Sequence, residues 1–159
     1  MKIMLTFITI FIFSSIIVTA GSIKYRADRN LRDREIVAAV LVAEAGGERD
    51  PRALAAVYEV ICRRMELTGL TAFEVVTARR QFSCLDNRTT DELVARVRDH
   101  PKFAEALNLA SGPCKTEYTR MATHFWSTAR RDGPPWWAKG EPITAKIGHH
   151  LFYDLRGDL

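Results

Sequence analysis

Glu44 is a carboxylate on the apolar face of a predicted helix. Ile36 and Val40 precede it at intervals of four residues, so the three side chains share one side of a helix over Arg34 to Ala45. Burial disfavours the ionised form of a carboxyl group, and the C-terminal end of a helix adds a negative potential, so both effects are expected to raise the pKa of Glu44. A carboxyl group of this kind can act as a general acid.

Glu48 is a second carboxylate, just before the next predicted helix, and the positive N-terminal end of that helix favours its ionised form. Gly46 and Gly47, between the two glutamates, leave room for a ligand beside Glu44. An acid with a nearby carboxylate would suit a two-carboxylate glycoside hydrolase. A glutamate taken alone more often pairs with an arginine or caps a helix, so residue types leave both interpretations open.

Three histidines invite a different chemistry. His124, His149 and His150 together with a carboxylate form a donor set that can hold zinc, as in a zinc-dependent amidase or peptidase. His149 and His150 are neighbours, however, and point to opposite faces of a regular strand, so only one of them can join a given site. Because neutral imidazole often only donates a structural hydrogen bond, neither a metal nor another cofactor is predicted.

The elements that must position these side chains are mainly helical. After the helix that carries Glu44, further helices are predicted to begin at Asp50-Pro51, at Thr71 with Glu74 in a capping box, over Thr90 to Asp99, and at Asp99-His100-Pro101. Aromatic-rich stretches at Ala122 to Ser127 and Ile147 to Tyr153 predict two short strands around a loop. The predicted fold class is therefore mainly α with a small antiparallel β element, an α+β protein.

The first residues predict export. An apolar run follows Lys2, and Val18-Thr19-Ala20 has the small-x-small form of a signal cleavage site, so residues 1–20 are predicted to be a signal peptide. The run is also about as long as a membrane-spanning helix, which leaves an uncleaved anchor open. In either case the remainder, residues 31–159, is predicted to form one domain in the periplasm or outside the cell, with membrane contact only through the N-terminal segment.

The charge limits the classes of partner that the protein can be expected to bind, and the cysteine content predicts its disulfide state. The net charge of +4 is too small and too evenly spread to predict binding to nucleic acid. In an oxidising compartment, three cysteines allow one disulfide and one thiol. Cys62 lies in an apolar helical run and is predicted to be a buried thiol, which leaves Cys84 with Cys114 as the predicted disulfide.

Several separated segments resemble, in the same order, the motifs of the SleB-type cell-wall hydrolases, the family of spore-cortex-lytic enzymes. They are Ala43-Glu44-Ala45-Gly46-Gly47-Glu48, Ile61-Cys62-Arg63-Arg64, Gln81-Phe82-Ser83, Ala122-Thr123-His124-Phe125 and Ile147-Gly148-His149-His150-Leu151-Phe152-Tyr153. The resemblance covers about Glu35 to Asp154. The sequence departs from the family at two places. Cys62-Arg63-Arg64 replaces the usual Leu-Asn-Arg, and after Gly148 the pair His149-His150 replaces the usual Asn-His.

This resemblance implies a lysozyme-like fold and peptidoglycan as the partner. The protein is predicted to be a monomer. The resemblance also implies lytic transglycosylase chemistry between N-acetylmuramic acid and N-acetylglucosamine, with Glu44 as the catalytic group and 1,6-anhydro ends as products. Gln81 and Ser83 can hydrogen-bond acetamido and hydroxyl groups of the sugars. The other residues expected to bind substrate carry rings and are Phe82, His124, Trp126, Trp137, His149 and Tyr153.

Three alternatives stay open at this point. A two-carboxylate muramidase or glucosaminidase would use Glu48 beside Glu44. A zinc-dependent wall amidase or peptidase would use the histidines. A wall-binding module would keep the fold without catalysis.

Overall fold

The structure, a computed structural model, describes residues 30–115, 117–130 and 133–156. The chain divides into two compact units, Met1–Asp33 and Arg34–Leu159. In the first unit, the described residues 30–33 are helical, and the predicted signal or anchor at 1–20 lies outside the described residues. Within the ranges that the structure describes, no helix is both long and apolar enough to cross a membrane.

Helices are the main regular structure of the second unit. Residues 34–45 are helical and are called α1, as predicted from the spacing of Ile36, Val40 and Glu44. The other α-helices are α2 (Ala53–Thr68), α3 (Ala72–Thr77), α4 (Thr90–Val97) and α5 (Phe103–Ser111), with single 3-10 turns at Ser83–Leu85 and Trp136–Ala138. The core is built around α1 and α2, whose apolar residues, among them Leu41, Leu54 and Ile61, are almost fully buried.

Capping boxes mark the starts of two helices, α3 and α4. The predicted capping box is present at Thr71 and Glu74, and a second one joins Thr89 to Glu92 at the start of α4. Helix α2 begins at Ala53, two residues later than the predicted start at Pro51. The Asp50 carboxylate accepts a hydrogen bond from the backbone N–H of Arg52 at 3.0 Å, so Pro51 and Arg52 form a turn ahead of the helix.

The sheet has three antiparallel strands, β1 (His124–Ser127), β2 (Ile143–Ile147) and β3 (His150–Tyr153), in the order β1-β3-β2. The predicted α+β class, mainly helical with a small antiparallel element, is confirmed. The prediction of one strand over Ile147 to Tyr153 was wrong, because Gly148 and His149 form a two-residue turn between β2 and β3. Gly148 has a φ of 57°, a conformation that favours glycine, and a Cβ there would overlap the Glu48 carboxylate.

The disulfide joins Cys62 to Cys114, with Cα atoms 5.7 Å apart, and Cys84 is a free thiol. The predicted Cys84–Cys114 pair was therefore wrong, as was the prediction that Cys62 is a buried thiol. Helix α2 packs against α5, and this contact brings Cys62 next to the segment that follows α5. Helical periodicity indicates that Cys62 faces the interior but does not indicate which helix it meets there.

Glu59 of α2 is a buried carboxylate that organises the segment before β1. Its side chain is 4% exposed. Its oxygens accept hydrogen bonds from the backbone N–H groups of Glu117, Tyr118 and Thr119 and from the Thr119 hydroxyl, at 2.7 to 3.1 Å. These bonds attach the chain that leads into β1 to the central helix.

Candidate active site

A cavity of about 470 Å³ lies where the end of α1 meets the segment around Ser83–Leu85, β1 and the loop before Trp136–Ala138. Seven of the residues predicted for the site line it: Glu44, Gln81, Phe82, Ser83, His124, Trp126 and Trp137. They come from three regions that are far apart in the sequence. The cavity is therefore the place where the separate motifs meet.

Glu44 presents a carboxyl group with a raised pKa to this cavity. Its Oε1 atom is buried and has no hydrogen-bond partner among the described residues. Burial is the largest cause of the raised pKa, and the negative charge of Asp86 adds to it. Hydrogen bonds from Cys84 and the positive charge of Arg130 act in the opposite direction. The direction expected from the sequence is the one found, and it favours the protonated form of Glu44.

Cys84 lies directly beside this carboxyl group. Both its thiol and its backbone N–H donate hydrogen bonds to Glu44. Burial raises the pKa of the Cys84 thiol, and the adjacent carboxylate raises it further, so the thiol stays protonated and remains a donor. The predicted disulfide partner of Cys114 is thus a neighbour of the candidate acid instead.

Gln81 is held in place by a buried arginine. Arg64 of α2 is 6% exposed, and its guanidinium donates to Gln81 Oε1 and to the backbone oxygen of Thr123, each at 2.6 Å. The same guanidinium lies 5.7 Å from the ring centroid of Phe82. Burial lowers the pKa of Arg64 to about 10, so it stays charged at neutral pH. Because the carbonyl end of the Gln81 amide is taken, its NH₂ end is the one that can serve a ligand.

Aromatic rings form the opposite wall. His124 and Trp137 pack against each other with ring centroids 5.2 Å apart and ring planes tilted by 52°, and both are half-buried, as is Trp126. Tyr153, 3% exposed, packs edge-on against Trp137 at 5.7 Å and does not line the cavity, so its position does not suit the predicted contact with substrate. Phe82 lines the cavity but is 2% exposed, which makes it chiefly a core residue.

Glu48 and His149 lie outside the cavity. The Glu48 carboxylate accepts a hydrogen bond from the backbone N–H of His149 at 3.2 Å, and His149 Nδ1 lies 3.1 Å from it. Glu48 therefore fastens the α1–α2 connection to the β2–β3 turn. The structure does not bring the predicted second carboxylate, or His149, to the cavity that Glu44 faces.

The histidines are divided between two places. His124 lines the cavity, whereas His150 is 1% exposed and packs between Phe125 and Phe152, with Nδ1 3.7 Å from Glu48. Burial lowers the pKa of His150. Within the described ranges, no group of three or more His, Cys, Asp or Glu side chains is placed to hold a metal ion.

Comparisons with known proteins identify the family. The model of the Cell Wall Hydrolase family matches residues 48–153, two thirds of the chain. This chain belongs to the cell wall hydrolase family. It is accordingly an enzyme that acts on peptidoglycan, and enzymes of this class work outside the cytoplasm.

The fold agrees with a solved structure of a SleB catalytic domain. The crystal structure of the catalytic domain of the Bacillus cereus SleB protein matches with a TM-score of 0.53 and 21% identity, covering 77% of this chain and 90% of that one. At this identity the match shows the fold. No curated protein matches the sequence. The family match begins at Glu48, so Glu44 lies just outside it, whereas the Gln81-Phe82-Ser83 segment and the sheet lie inside.

Sequence reasoning missed several residues of the cavity in this cell wall hydrolase. Arg64, Arg80, Asp86 and Arg130 line it beside the predicted residues. Arg64 lies on α2 in the Ile61-Cys62-Arg63-Arg64 segment but was not singled out as a site residue. The other three lie in turns and loops, where neither periodicity nor a local motif indicates a direction. Arg80 has a φ of 62°, unusual for a residue with a side chain, and the sequence carries no signal of it.

Proposed function

We propose that this cell wall hydrolase is a lytic transglycosylase that cleaves the glycan strand between N-acetylmuramic acid and N-acetylglucosamine, with Glu44 as its catalytic group. The observation that carries the proposal is the Glu44 carboxyl in the cavity, with a raised pKa and a buried oxygen that lacks a partner among the described residues. An acid of this kind can protonate a glycosidic oxygen without a metal.

The proposed reaction uses one carboxyl group twice. Glu44 first gives its proton to the glycosidic oxygen as the bond from that oxygen to the muramyl C1 breaks. The resulting carboxylate then takes the proton of the muramyl C6 hydroxyl. At the same time the C6 oxygen bonds to C1 and closes the 1,6-anhydro ring. Glu44 is protonated again and no water is consumed. Gln81, Ser83, His124, Trp126 and Trp137 are proposed to hold the sugars beside it.

Hydrolysis is the second candidate, and Asp86 is the observation that favours it. Asp86 lines the same cavity, and its charge contributes to the raised pKa of Glu44. A carboxylate at this position could activate water on the far side of the sugar, as in two-carboxylate glycosidases. Glu48 does not compete for this role because it lies outside the cavity.

Product mass separates the two reactions. Purified peptidoglycan is digested, and the soluble fragments are analysed by mass spectrometry. We expect fragments that end in 1,6-anhydromuramic acid, lighter by one water than the hydrolysis products. If all fragments carry the added water, the transglycosylase reaction is refuted. If the Asp86→Asn variant no longer forms these hydrolysis products, Asp86 is assigned as the second carboxylate.

Glu44→Gln tests the catalytic group. We expect glycan cleavage to fall by at least about a hundredfold, because the general acid is lost. The thermal unfolding of the variant serves as a control for folding. Since burial raises the folded-state pKa of Glu44, its carboxyl favours the fold at acidic pH, and this contribution is lost as the pH rises through that pKa. Glu44→Gln should therefore be no less stable than the wild type at alkaline pH.

The remaining proposals concern the rest of the chain. Residues 31–159 are proposed to form the catalytic domain and to act as a monomer, with residues 1–20 as signal or anchor. N-terminal sequencing of the exported protein distinguishes cleavage from anchoring, and sedimentation of the purified protein tests the monomer.

A further inference from the structure

The cavity around Glu44 is rich in arginine. Among the described residues that line it, Arg64, Arg80 and Arg130 are basic, and only Glu44 and Asp86 carry carboxyl groups. Positive charge therefore exceeds negative charge in the cavity whenever Glu44 carries its proton. Proton donation and hydrogen bonding to neutral sugars do not require this excess.

Arg64 is the least exposed of the three and the most informative. Its side chain is 6% exposed, yet the acceptors of its hydrogen bonds, Gln81 Oε1 and the Thr123 backbone oxygen, are both neutral. A buried guanidinium is expensive to desolvate unless an anion compensates its charge. Because Arg64 lines the cavity, an anion bound there would supply that compensation.

We propose that the arginines form a subsite for a carboxylate of the muramyl residue next to the cleaved bond. This inference rests on the proposed function, which names the glycan strand as substrate. N-acetylglucosamine is uncharged, whereas N-acetylmuramic acid bears a lactyl group that ends either in a free carboxylate or in a peptide stem with carboxylates of its own. The shared chemistry is a carboxylate recognised by guanidinium groups.

Arg130 connects this subsite to catalysis. Its Nη1 lies 3.5 Å from Ser83 Oγ, so Arg130 contacts the Gln81-Phe82-Ser83 segment of the cavity. Burial raises the pKa of Glu44, and the positive charge of Arg130 opposes that rise. A bound carboxylate would offset the charge of Arg130, so substrate itself would help Glu44 to keep its proton. A neutral sugar at the same position would lack this effect.

Binding to the full-length Glu44→Gln protein tests the subsite without turnover. The probes are glycan tetrasaccharides that contain N-acetylmuramic acid in three forms, with a free lactyl carboxylate, with that carboxylate converted to a primary amide, and with an intact peptide stem. Isothermal titration should show that amidation weakens binding by about tenfold or more. The free-lactyl and stem-bearing probes distinguish the two sources of the carboxylate. The probe that binds more tightly identifies whether the arginines recognise the lactyl carboxylate or a carboxylate of the peptide stem.

Arginine variants in the same background locate the effect. Arg80→Gln and Arg130→Gln should weaken binding of the carboxylate probe and leave binding of the amidated probe almost unchanged. Arg96→Gln, an exposed substitution on α4, should change the binding of neither probe. Arg64 is left intact because its side chain also holds Gln81 and Thr123. Equal binding of charged and amidated probes would overturn the subsite while leaving the proposed function standing. Failure of every glycan probe to bind would overturn both.

Discussion

The thiol of Cys84 donates a hydrogen bond to the carboxylate of Glu44, and the backbone N–H of Cys84 donates a second one. The 3-10 turn Ser83–Leu85 follows Gln81 and Phe82 directly, so the segment that lines the cavity also carries the donors to the candidate acid. Donors of this kind favour the ionised form of Glu44 and so oppose the effect of burial. The proton affinity of the acid is thus set partly by a residue that does not line the cavity.

Replacement of Cys84 should move the pH dependence of cleavage. Glu44 must be protonated to act as an acid, so activity falls as the pH rises through its pKa. Serine is a stronger hydrogen-bond donor than cysteine, and Cys84→Ser should lower the pKa of Glu44 and shift the alkaline limb to lower pH. Cys84→Ala removes the donor and should shift that limb to higher pH. The measurement is the pH profile of kcat/KM on solubilised glycan strands. If the alkaline limbs of the two variants coincide, the thiol does not have this role.

Glu48→Gln should leave the chemistry intact and weaken the fold. Glu48 lies outside the cavity and accepts the backbone N–H of His149, which ties the α1–α2 connection to the β2–β3 turn. We expect kcat near the wild-type value and a loss of about 1 to 2 kcal/mol in the free energy of unfolding. Both are measured on one preparation, by glycan cleavage and by urea denaturation. Loss of activity in a fully folded variant would restore Glu48 as a catalytic candidate.

Removal of the disulfide should destabilise the protein considerably. Cys62 and Cys114 are 52 residues apart in the sequence, and the cross-link restricts the unfolded chain over that length. The double variant Cys62→Ala with Cys114→Ala should lose about 4 kcal/mol in the free energy of unfolding. Addition of a reductant should lower the Tm of the wild type and leave that of the double variant unchanged. An equal response of both proteins would mean that the reductant acts elsewhere.

Glu59→Gln should disrupt the segment that leads into β1. Its carboxylate accepts bonds from three consecutive backbone N–H groups and from the Thr119 hydroxyl, whereas the NH₂ of glutamine would face those donors. We expect a loss of about 3 kcal/mol in the free energy of unfolding, measured by urea denaturation. Glu105→Gln, an exposed substitution on α5, is the matched control and should change the stability by less than about 0.5 kcal/mol. Similar losses in the two variants would contradict the assigned role of Glu59.

The sequence predicts the features that depend on local patterns. The face of α1 that carries Glu44 follows from a period of four residues, and the start of α3 follows from its capping box. The position of Gln81 in the cavity was predicted by resemblance. Asp86 and Arg130 were missed because loops show no periodicity, and their directions depend on contacts with distant segments.

Tertiary packing explains where the structure differs from the predictions. Cys62 pairs with Cys114 because α2 packs against α5, and no local signal specifies that contact. Glu48 was expected beside Glu44 because the two are close in sequence. Its carboxylate instead accepts the backbone N–H of His149 in the turn that contains Gly148, and it does not line the cavity.

Strand β3 is the last of the described strands along the chain and also the central one, since the order is β1-β3-β2. Its partner β1 carries His124 and Trp126 into the cavity. Because β3 pairs with both β1 and β2, the cavity wall that β1 provides depends on His150–Tyr153, a segment that follows all the described cavity-lining residues in the sequence.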